Sequence, residues 1–228
     1  MSQYEFVPWQ EFLSQHFRWK QGEHLLTIGR TGNGKTTLLS KIADQREYKV
    51  MFVTKVHDDT ITKQFKDWDI LREWNPKRHH RKILLWPDSS GTLKEIRMRQ
   101  RHVFEEALDA IFKDRGWTPI FDEAHWMATQ LGLADAMAMY QHQARSSYLT
   151  VVTGVQRPSH IPVITYGSAT HAFLGRQNEP SDLRRLSGLG GVDSKQLGEN
   201  LLSLPKHEWV YVDNVTHGRL PIRTKVEL

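Results

Sequence analysis

The sequence predicts an α/β protein with a mostly parallel central sheet, flanked by helices and closed by a C-terminal β-hairpin. Three observations lead to this prediction. Short apolar and β-branched runs alternate with stretches of helical periodicity, a glycine-rich loop joins the first run to a helix, and two alternating segments end the chain around a turn. Because open sheets of this kind bind ligands at the carboxyl ends of their strands, functional side chains are expected there.

The predicted elements follow one another along 228 residues that we interpret as one domain. Residues 1–21 form an amphipathic opening segment, residues 22–213 the core and residues 214–228 the closing strand. The strand candidates are 24–28, 50–54, 83–86, 118–122, 149–155, 172–174, 208–213 and 220–226. Helices are expected after the glycine-rich loop, over 93–112 and over 126–145, with short helical pieces after residue 180.

The opening segment carries an aromatic face. Trp9, Phe12 and Phe17 recur at helical spacing, with Leu13 beside them. We expect this face to cover the edge of the sheet or a neighbouring molecule rather than to bind a ligand.

The glycine-rich loop matches the phosphate-binding pattern, in which two glycines separated by four residues precede a lysine and a threonine. Residues 24–37 read HLLTIGRTGNGKTT, so a strand leads into the loop and a helix leaves it. Backbone N–H groups of such a loop wrap a phosphate at the helix N-terminus. The predicted nucleotide contacts are Gly29, Arg30, Thr31, Gly32, Asn33, Gly34, Lys35, Thr36 and Thr37. Lys35 is expected at the β- and γ-phosphates and Thr36 at Mg²⁺.

Two acids follow a later strand. Residues 118–123 read TPIFDE, which places Asp122 at the carboxyl end of a buried strand with Glu123 next to it. Asp122 is the predicted metal-binding acid. Glu123 is the predicted general base that takes a proton from the attacking water, as nucleotide hydrolysis requires.

A third strand ends in an amide. Residues 148–158 read YLTVVTGVQRP, and Gln156 closes the apolar run. A side-chain amide at this point can bridge the γ-phosphate and the attacking water from a neighbouring strand.

These segments, in this order, resemble the FtsK–HerA family of DNA-pumping ATPases. The resemblance rests on GRTGNGKTT at 29–37, FDEAH at 121–125 and QARSSYLTVVTGVQRPSHIP at 143–162, and it extends over about residues 22–213. The small chain is most similar to the genome-packaging ATPases of membrane-containing phages and related viruses. It departs from the larger members at Gly154, where they usually carry alanine.

The resemblance implies a RecA-like P-loop NTPase core that uses ATP and Mg²⁺. It gives Lys35, Thr36, Asp122, Glu123 and Gln156 the roles described above. It also places Arg145 where the family has an arginine that reaches the nucleotide of the neighbouring subunit and neutralises charge during catalysis. Four other arginines are alternatives for that role: Arg157, Arg176, Arg184 and Arg185.

The expected partners follow from the same resemblance. They are double-stranded DNA, further copies of the chain in a homo-oligomeric ring, expected as a hexamer, and a capsid or membrane vertex. The net charge of +5, from 31 basic and 26 acidic residues, is mild for a DNA-binding protein. Two basic groups are candidate phosphate contacts: Lys77–Lys82 and the helix bearing Arg97, Arg99, Arg101 and His102. A solvated surface connection and a core-facing helix, respectively, are the favoured explanations for them.

Several classes are excluded or disfavoured by composition. The chain has no cysteine, which excludes disulfides and cysteine-ligated zinc, and its twelve histidines show no ligand spacing. No apolar run could span a membrane and the first residues are not a signal peptide, so a cytoplasmic location, in the host or in association with a virion, is expected. A kinase is disfavoured because Glu123 beside Asp122 suits water activation.

Two functions therefore remain. The first is an ATP-driven double-stranded DNA translocase that packages a viral genome. The second is an ATP-dependent assembly or switch protein that regulates a protein partner without moving DNA.

Overall fold

A single mixed sheet organises the computed structural model, which describes residues 3–160, 163–186, 189–216 and 219–227. Within these residues the sheet has the strand order β3-β4-β2-β5-β6-β1-β7-β8-β9. The strands are β1 (His24–Ile28), β2 (Lys49–Phe52), β3 (Asp69–Leu71), β4 (Lys82–Leu85), β5 (Thr118–Phe121), β6 (Val152–Val155), β7 (Ala169–Leu174), β8 (Glu208–Asp213) and β9 (Ile222–Lys225). All pairings from β3 to β7 are parallel, whereas β8 and β9 are antiparallel. The predicted mostly parallel sheet and closing hairpin are confirmed.

Helices cover both faces of this sheet. They are α1 (Trp9–Glu11), α2 (Lys35–Ala43), α3 (Asp59–Gln64), α4 (Leu93–Asp114), α5 (Ala124–Thr129), α6 (Ala134–Gln143), α7 (Val163–Ser168), α8 (Pro180–Leu186) and α9 (Ser194–Ser203). A π-helical turn (Phe12–His16) continues α1, and 3₁₀ turns occur at Ala144–Ser147, Pro158–His160 and Leu189–Gly191. No helix in the described ranges is both long and apolar enough to cross a bilayer.

The strand order places the three functional segments side by side. Strand β6 lies between β1, which leads into the glycine-rich loop, and β5, which leads into the two acids. Because these strands are parallel, their carboxyl ends meet at one edge of the sheet. Strands β2, β3 and β4 lie beyond β5. Of these, β2 and β4 correspond to the strands predicted over 50–54 and 83–86.

The opening segment packs as predicted, although its helix is short. Phe12 is fully buried and its ring lies 4.9 Å from that of Tyr211 and 5.8 Å from that of Phe173. The aromatic face of the segment therefore covers β7 and β8.

A buried polar group lies beneath this segment. His171 in β7 is 3% exposed, and its ring nitrogens lie 2.8 Å from the Tyr211 hydroxyl and 3.1 Å from a Glu23 carboxylate oxygen. Burial lowers the pKa of His171, although Glu23 opposes the shift. A neutral ring satisfies both contacts, since it donates to Glu23 through Nε2 and accepts from Tyr211 through Nδ1.

Two predicted elements differ from the structure. The single helix expected over 126–145 is two helices, because Gly132 adopts φ +68 between α5 and α6. The strand expected over 149–155 begins only at Val152. Tyr148 has φ +55, and the Leu149 N–H donates to the Ala144 carbonyl, so the chain turns at these residues, and bonding to β1 starts at the Val151 carbonyl, which accepts from the Leu25 N–H.

Candidate active site

The glycine-rich loop is anchored between two neighbouring strands. The Gly29 N–H donates to the Val155 carbonyl at the end of β6, while the Ile28 carbonyl accepts from Gly175 N–H at the end of β7. Helix α2 then begins at Lys35. The loop thus opens at the carboxyl edge of the sheet with the N-terminus of α2 facing it, which is the geometry of a phosphate site.

Two of the loop glycines are required by this geometry. Gly34 adopts φ +84, a left-handed conformation that glycine tolerates best. At Gly29 a Cβ would lie 2.7 Å from the ring of Trp209, which is fully buried in β8. The spacing that the sequence showed therefore reflects backbone shape at one position and close packing at the other.

Lys35, Thr36 and Asp122 meet below the loop. The Thr36 hydroxyl donates to Asp122 Oδ2 at 3.4 Å, and the Lys35 ammonium lies 3.9 Å from Asp122 Oδ1. Asp122 is 4% exposed, and burial raises its pKa while Lys35 opposes the shift.

The buried carboxylate fits a magnesium ion. Asp122 Oδ1 makes no hydrogen bond to any described residue, although it is buried. A hydroxyl and a carboxylate are the oxygen ligands that Mg²⁺ takes beside nucleotide phosphates. Thr36 and Asp122 could therefore hold the ion as predicted. Within the described ranges, no group of three histidine, aspartate or glutamate side chains is arranged to hold a metal.

Glu123 and Gln156 also meet at this edge. The Gln156 Nε2 group lies 3.2 Å from each carboxylate oxygen of Glu123. The Thr31 hydroxyl donates to Gln156 Oε1 at 3.3 Å. The amide therefore joins the phosphate loop to the predicted base, and all these side chains come from segments that the sequence singled out.

The structure adds a lysine that sequence reasoning missed. Lys55, just after β2, borders a small cavity with Asp122 and Glu123 and bonds to Asp58. Burial, the largest single effect, lowers the pKa of Lys55, but the bond to Asp58 and the negative charges of Asp58, Asp122 and Glu123 together raise it above its ordinary value. Its only sequence signal is a charged residue directly after a buried strand.

A second feature that the sequence did not reveal is a pocket on the outer side of the loop. It has a volume of about 430 Å³. Its walls are Arg30, Thr31, Gly32, Asn33, Arg176, Asn178 and Lys206. None of these is a carboxylate, and the buried Asn33 Nδ2 group has no partner among the described residues. The pocket therefore suits a polar or anionic ligand.

The candidate trans arginines occupy different environments. Arg145 lies in the 3₁₀ turn Ala144–Ser147, but its side chain is outside the described part of the structure. Arg157 donates to the buried Asp182 at 3.0 Å within the same chain. Arg185 stacks over Tyr166 on the same chain, whereas Arg176 faces the outer pocket. Arg184 lies beside Arg185 on α8.

The basic groups lie away from this site or have other contacts. The run Lys77–Lys82 leads into β4, which begins at Lys82, and so lies at the amino edge of the sheet, opposite the loop. Within it, Arg81 pairs with Glu47 and Lys82 with Asp67, which leaves Lys77 and Arg78 as exposed cations. On α4 the buried apolar face explains the helix, and three of its polar side chains contact acids: Arg99 contacts Asp88, Arg101 contacts Glu105 and His102 contacts Glu106.

Comparison with known proteins identifies the fold. No protein-family model and no curated protein sequence matches the chain. The genome packaging NTPase B204 from Sulfolobus turreted icosahedral virus 2, in complex with sulfate, has a similar structure. The TM-score is 0.68 and the sequence identity is 16%, over 92% of this chain and 99% of that chain. VirB4 of Thermoanaerobacter pseudethanolicus gives TM-score 0.66 and 10% identity over 90% and 89% of the two chains.

A larger protein contains the same fold. The Type VII secretion ATPase EccC of Thermomonospora curvata gives TM-score 0.56 and 15% identity over 91% of this chain but 25% of that chain. At such identities the similarity concerns the fold. The fold predicted from the FtsK–HerA resemblance is thus confirmed.

Proposed function

We propose that this chain hydrolyses ATP and uses the energy to move double-stranded DNA, as the subunit of a homo-oligomeric ring that packages a viral genome. One observation carries the proposal. The phosphate loop, the acid pair and the Gln156 amide come from three adjacent strands and converge at one edge of the sheet. That convergence supplies every group of one subunit that hydrolysis of a nucleoside triphosphate needs.

Each side chain has a role in this proposal. Lys35 neutralises the β- and γ-phosphates, and Thr36 with Asp122 holds Mg²⁺. When bound, Mg²⁺ would stabilise the negative charge that develops on the phosphates. Glu123 accepts the proton of the attacking water, and Gln156 orients that water against the γ-phosphate.

We propose that the outer pocket holds the ribose and base of the nucleotide. Its walls include loop residues 30–33, so a ligand seated there is continuous with phosphates in the loop. A volume of about 430 Å³ is within the range of small-molecule sites. We place the ribose and base against Arg176, Asn178 and Lys206. Arg176→Ala should then weaken ATP binding severalfold, as measured with a fluorescent ATP analogue.

The ring and DNA parts of the proposal rest on the fold and the motifs. The fold extends over nearly the whole length of B204, whose name describes genome packaging. A ring lets an arginine of one subunit complete the site of the next, and Arg145 is our candidate for it.

The chemistry is tested by three variants in an ATPase assay. Lys35→Ala should abolish nucleotide binding or hydrolysis. Glu123→Gln should bind MgATP yet turn over at least 10²-fold more slowly, roughly the contribution of a general base. Glu73→Gln, the same change at an exposed glutamate, should hydrolyse at the wild-type rate. Normal hydrolysis by Glu123→Gln would show that another group is the base.

The coupling to DNA is tested in the same assay. Duplex DNA should bind without sequence preference and accelerate hydrolysis by the oligomer formed with ATP. A wild-type oligomer that hydrolyses ATP but neither binds duplex DNA at low salt nor responds to it would leave the assembly-switch function as the explanation.

A further inference from the structure

The Gln156 amide is held at both ends, once by the phosphate loop and once by the predicted base. Its Oε1 atom accepts a bond of 3.3 Å from the Thr31 hydroxyl, and its Nε2 group donates to both Glu123 oxygens at 3.2 Å. Thr31 is itself part of the loop, in the first half of the segment between Gly29 and Gly34. The contact therefore links the strand of the amide to the loop that would hold the phosphates.

Donor and acceptor chemistry fixes the direction of this link. An ionised carboxylate only accepts hydrogen bonds, so the end of the amide that faces Glu123 must be the N–H end. The other end is then an acceptor, and Thr31 must donate its hydroxyl proton to it. A valine at position 31 would keep the shape of the side chain but remove the donor.

The contact with Thr31 becomes more important when the reaction begins. A water placed between Gln156 and Glu123 separates the amide from the carboxylate, so the carboxylate no longer fixes the orientation of the amide directly. The Thr31 hydroxyl is then the described contact that keeps Oε1 turned away from the water and the N–H groups turned toward the reaction.

We propose that Thr31 is a positioning residue for hydrolysis, which acts through the orientation of the Gln156 amide. This inference rests on the proposed function, because it assumes that Glu123 activates a water. Thr31 does not touch the reacting atoms in this scheme. Its side chain therefore contributes to the rate of the chemical step, while the backbone of the loop binds the phosphates.

The test is a double-mutant cycle with kinetic and binding readouts. Thr31→Val should lower kcat about 3- to 10-fold, the effect of one hydrogen bond, with KM and the affinity for an ATP analogue within about twofold of wild type. Thr31→Ser keeps the donor and should retain most of kcat. In a Gln156→Ala background, Thr31→Val should have no further effect, since the group that it positions is gone.

Three outcomes would overturn the inference. Additive effects of Thr31→Val and Gln156→Ala would show that Thr31 acts independently of the amide. An effect confined to KM, or an equal loss of kcat in Thr31→Ser, would show that the residue serves loop shape or phosphate binding.

A readout without turnover separates this inference from the proposed function. In the nucleotide-free protein, Thr31→Val should shift the side-chain amide resonances of Gln156 in a nitrogen-15 NMR spectrum, whereas Thr31→Ser should shift them less. Unchanged resonances would refute the contact itself. If Thr31→Val shifts these resonances but the wild-type protein does not hydrolyse ATP, the contact is real and the proposed function is refuted instead.

Discussion

Replacing Gly154 by alanine tests how tightly the catalytic edge of the sheet is packed. Gly154 lies in β6, beside the end of β5 that carries the acids. A Cβ built at Gly154 would lie 2.9 Å from the carbonyl oxygen of Asp122, 3.1 Å from its Cα and 3.2 Å from the carbonyl oxygen of Phe121. All three are backbone atoms, so no side chain can rotate away to relieve the contact.

The size of the effect follows from these distances. Ordinary contact begins at 3.4 Å, so β5 and β6 must separate locally by about 0.5 Å. Overpacking of this kind costs about 1–3 kcal/mol, and in a chain of this size each kcal/mol lowers Tm by about 2–4 °C. Because a misplacement of about 1 Å costs roughly 10²-fold in rate, the smaller shift of Asp122 should lower kcat about tenfold.

The assays are thermal unfolding and steady-state ATP hydrolysis, with Gly198→Ala as the matched control. Gly198 lies inside α9, where an added Cβ meets nothing within 4 Å. The control should therefore gain about 0.5–1 kcal/mol, the ordinary benefit of alanine over glycine in a helix. If Gly154→Ala unfolds and hydrolyses like wild type, the sheet yields at little cost and the close approach does not constrain the site.

Three further predictions address assembly, DNA and pH. Mixing Arg145→Ala with Glu123→Gln chains should restore activity above the sum of the separate proteins, because some interfaces pair an intact base with an intact arginine. If mixed rings are confirmed but show no gain in activity, a trans role for Arg145 is excluded. If DNA phosphates contact the run Lys77–Lys82, replacing both Lys77 and Arg78 with alanine should reduce the slope of log DNA affinity against log salt concentration by about 2. Nucleotide affinity should not change. An unchanged slope would show that DNA binds elsewhere on the protein. The pKa of His171 is lowered in the folded protein, so below about pH 6.5 the unfolded chain binds more protons than the folded one. The free energy of unfolding should therefore decrease as the pH is lowered from about 7.5 to about 5.5. His171→Gln should lose stability at pH 7.5 but show a weaker dependence on pH in urea unfolding, and an equal dependence would place the titrating group elsewhere.

The local parts of the site were predictable because their signals are local. The strand expected over 24–28 has the same bounds as β1, and the glycine spacing identified the loop before α2. The positions of Asp122 and Gln156 followed from apolar runs that end in a polar side chain. Since parallel strands present their carboxyl ends at one edge, strand-end residues could be expected to meet before their distances were known.

The rest depends on information that the sequence pattern does not carry. Strand β3 is largely exposed at the edge of the sheet, so it has no apolar run to reveal it. A helical sequence pattern tolerates a single glycine, so Gly132 did not signal the end of a helix. The break between α5 and α6 is seen only in the structure, where Gly132 has a positive φ. The basic run Lys77–Lys82 was visible, but its place at the amino edge and its pairing with Glu47 and Asp67 depend on strand order and tertiary contacts.

Strand order also explains why Gly154 matters more than its motif suggests. The acid strand β5 and the loop strand β1 do not touch, since β6 lies between them. The distance between Asp122, the proposed metal-binding acid, and the phosphate loop therefore depends on two strand spacings, and a Cβ at Gly154 would widen one of them. In this chain the glycine allows β5 to approach closely, which brings Asp122 Oδ2 within 3.4 Å of the Thr36 hydroxyl. The packing of the sheet, and not only the identity of the motif residues, thus sets the distance between Thr36 and Asp122, the two residues that we propose hold magnesium.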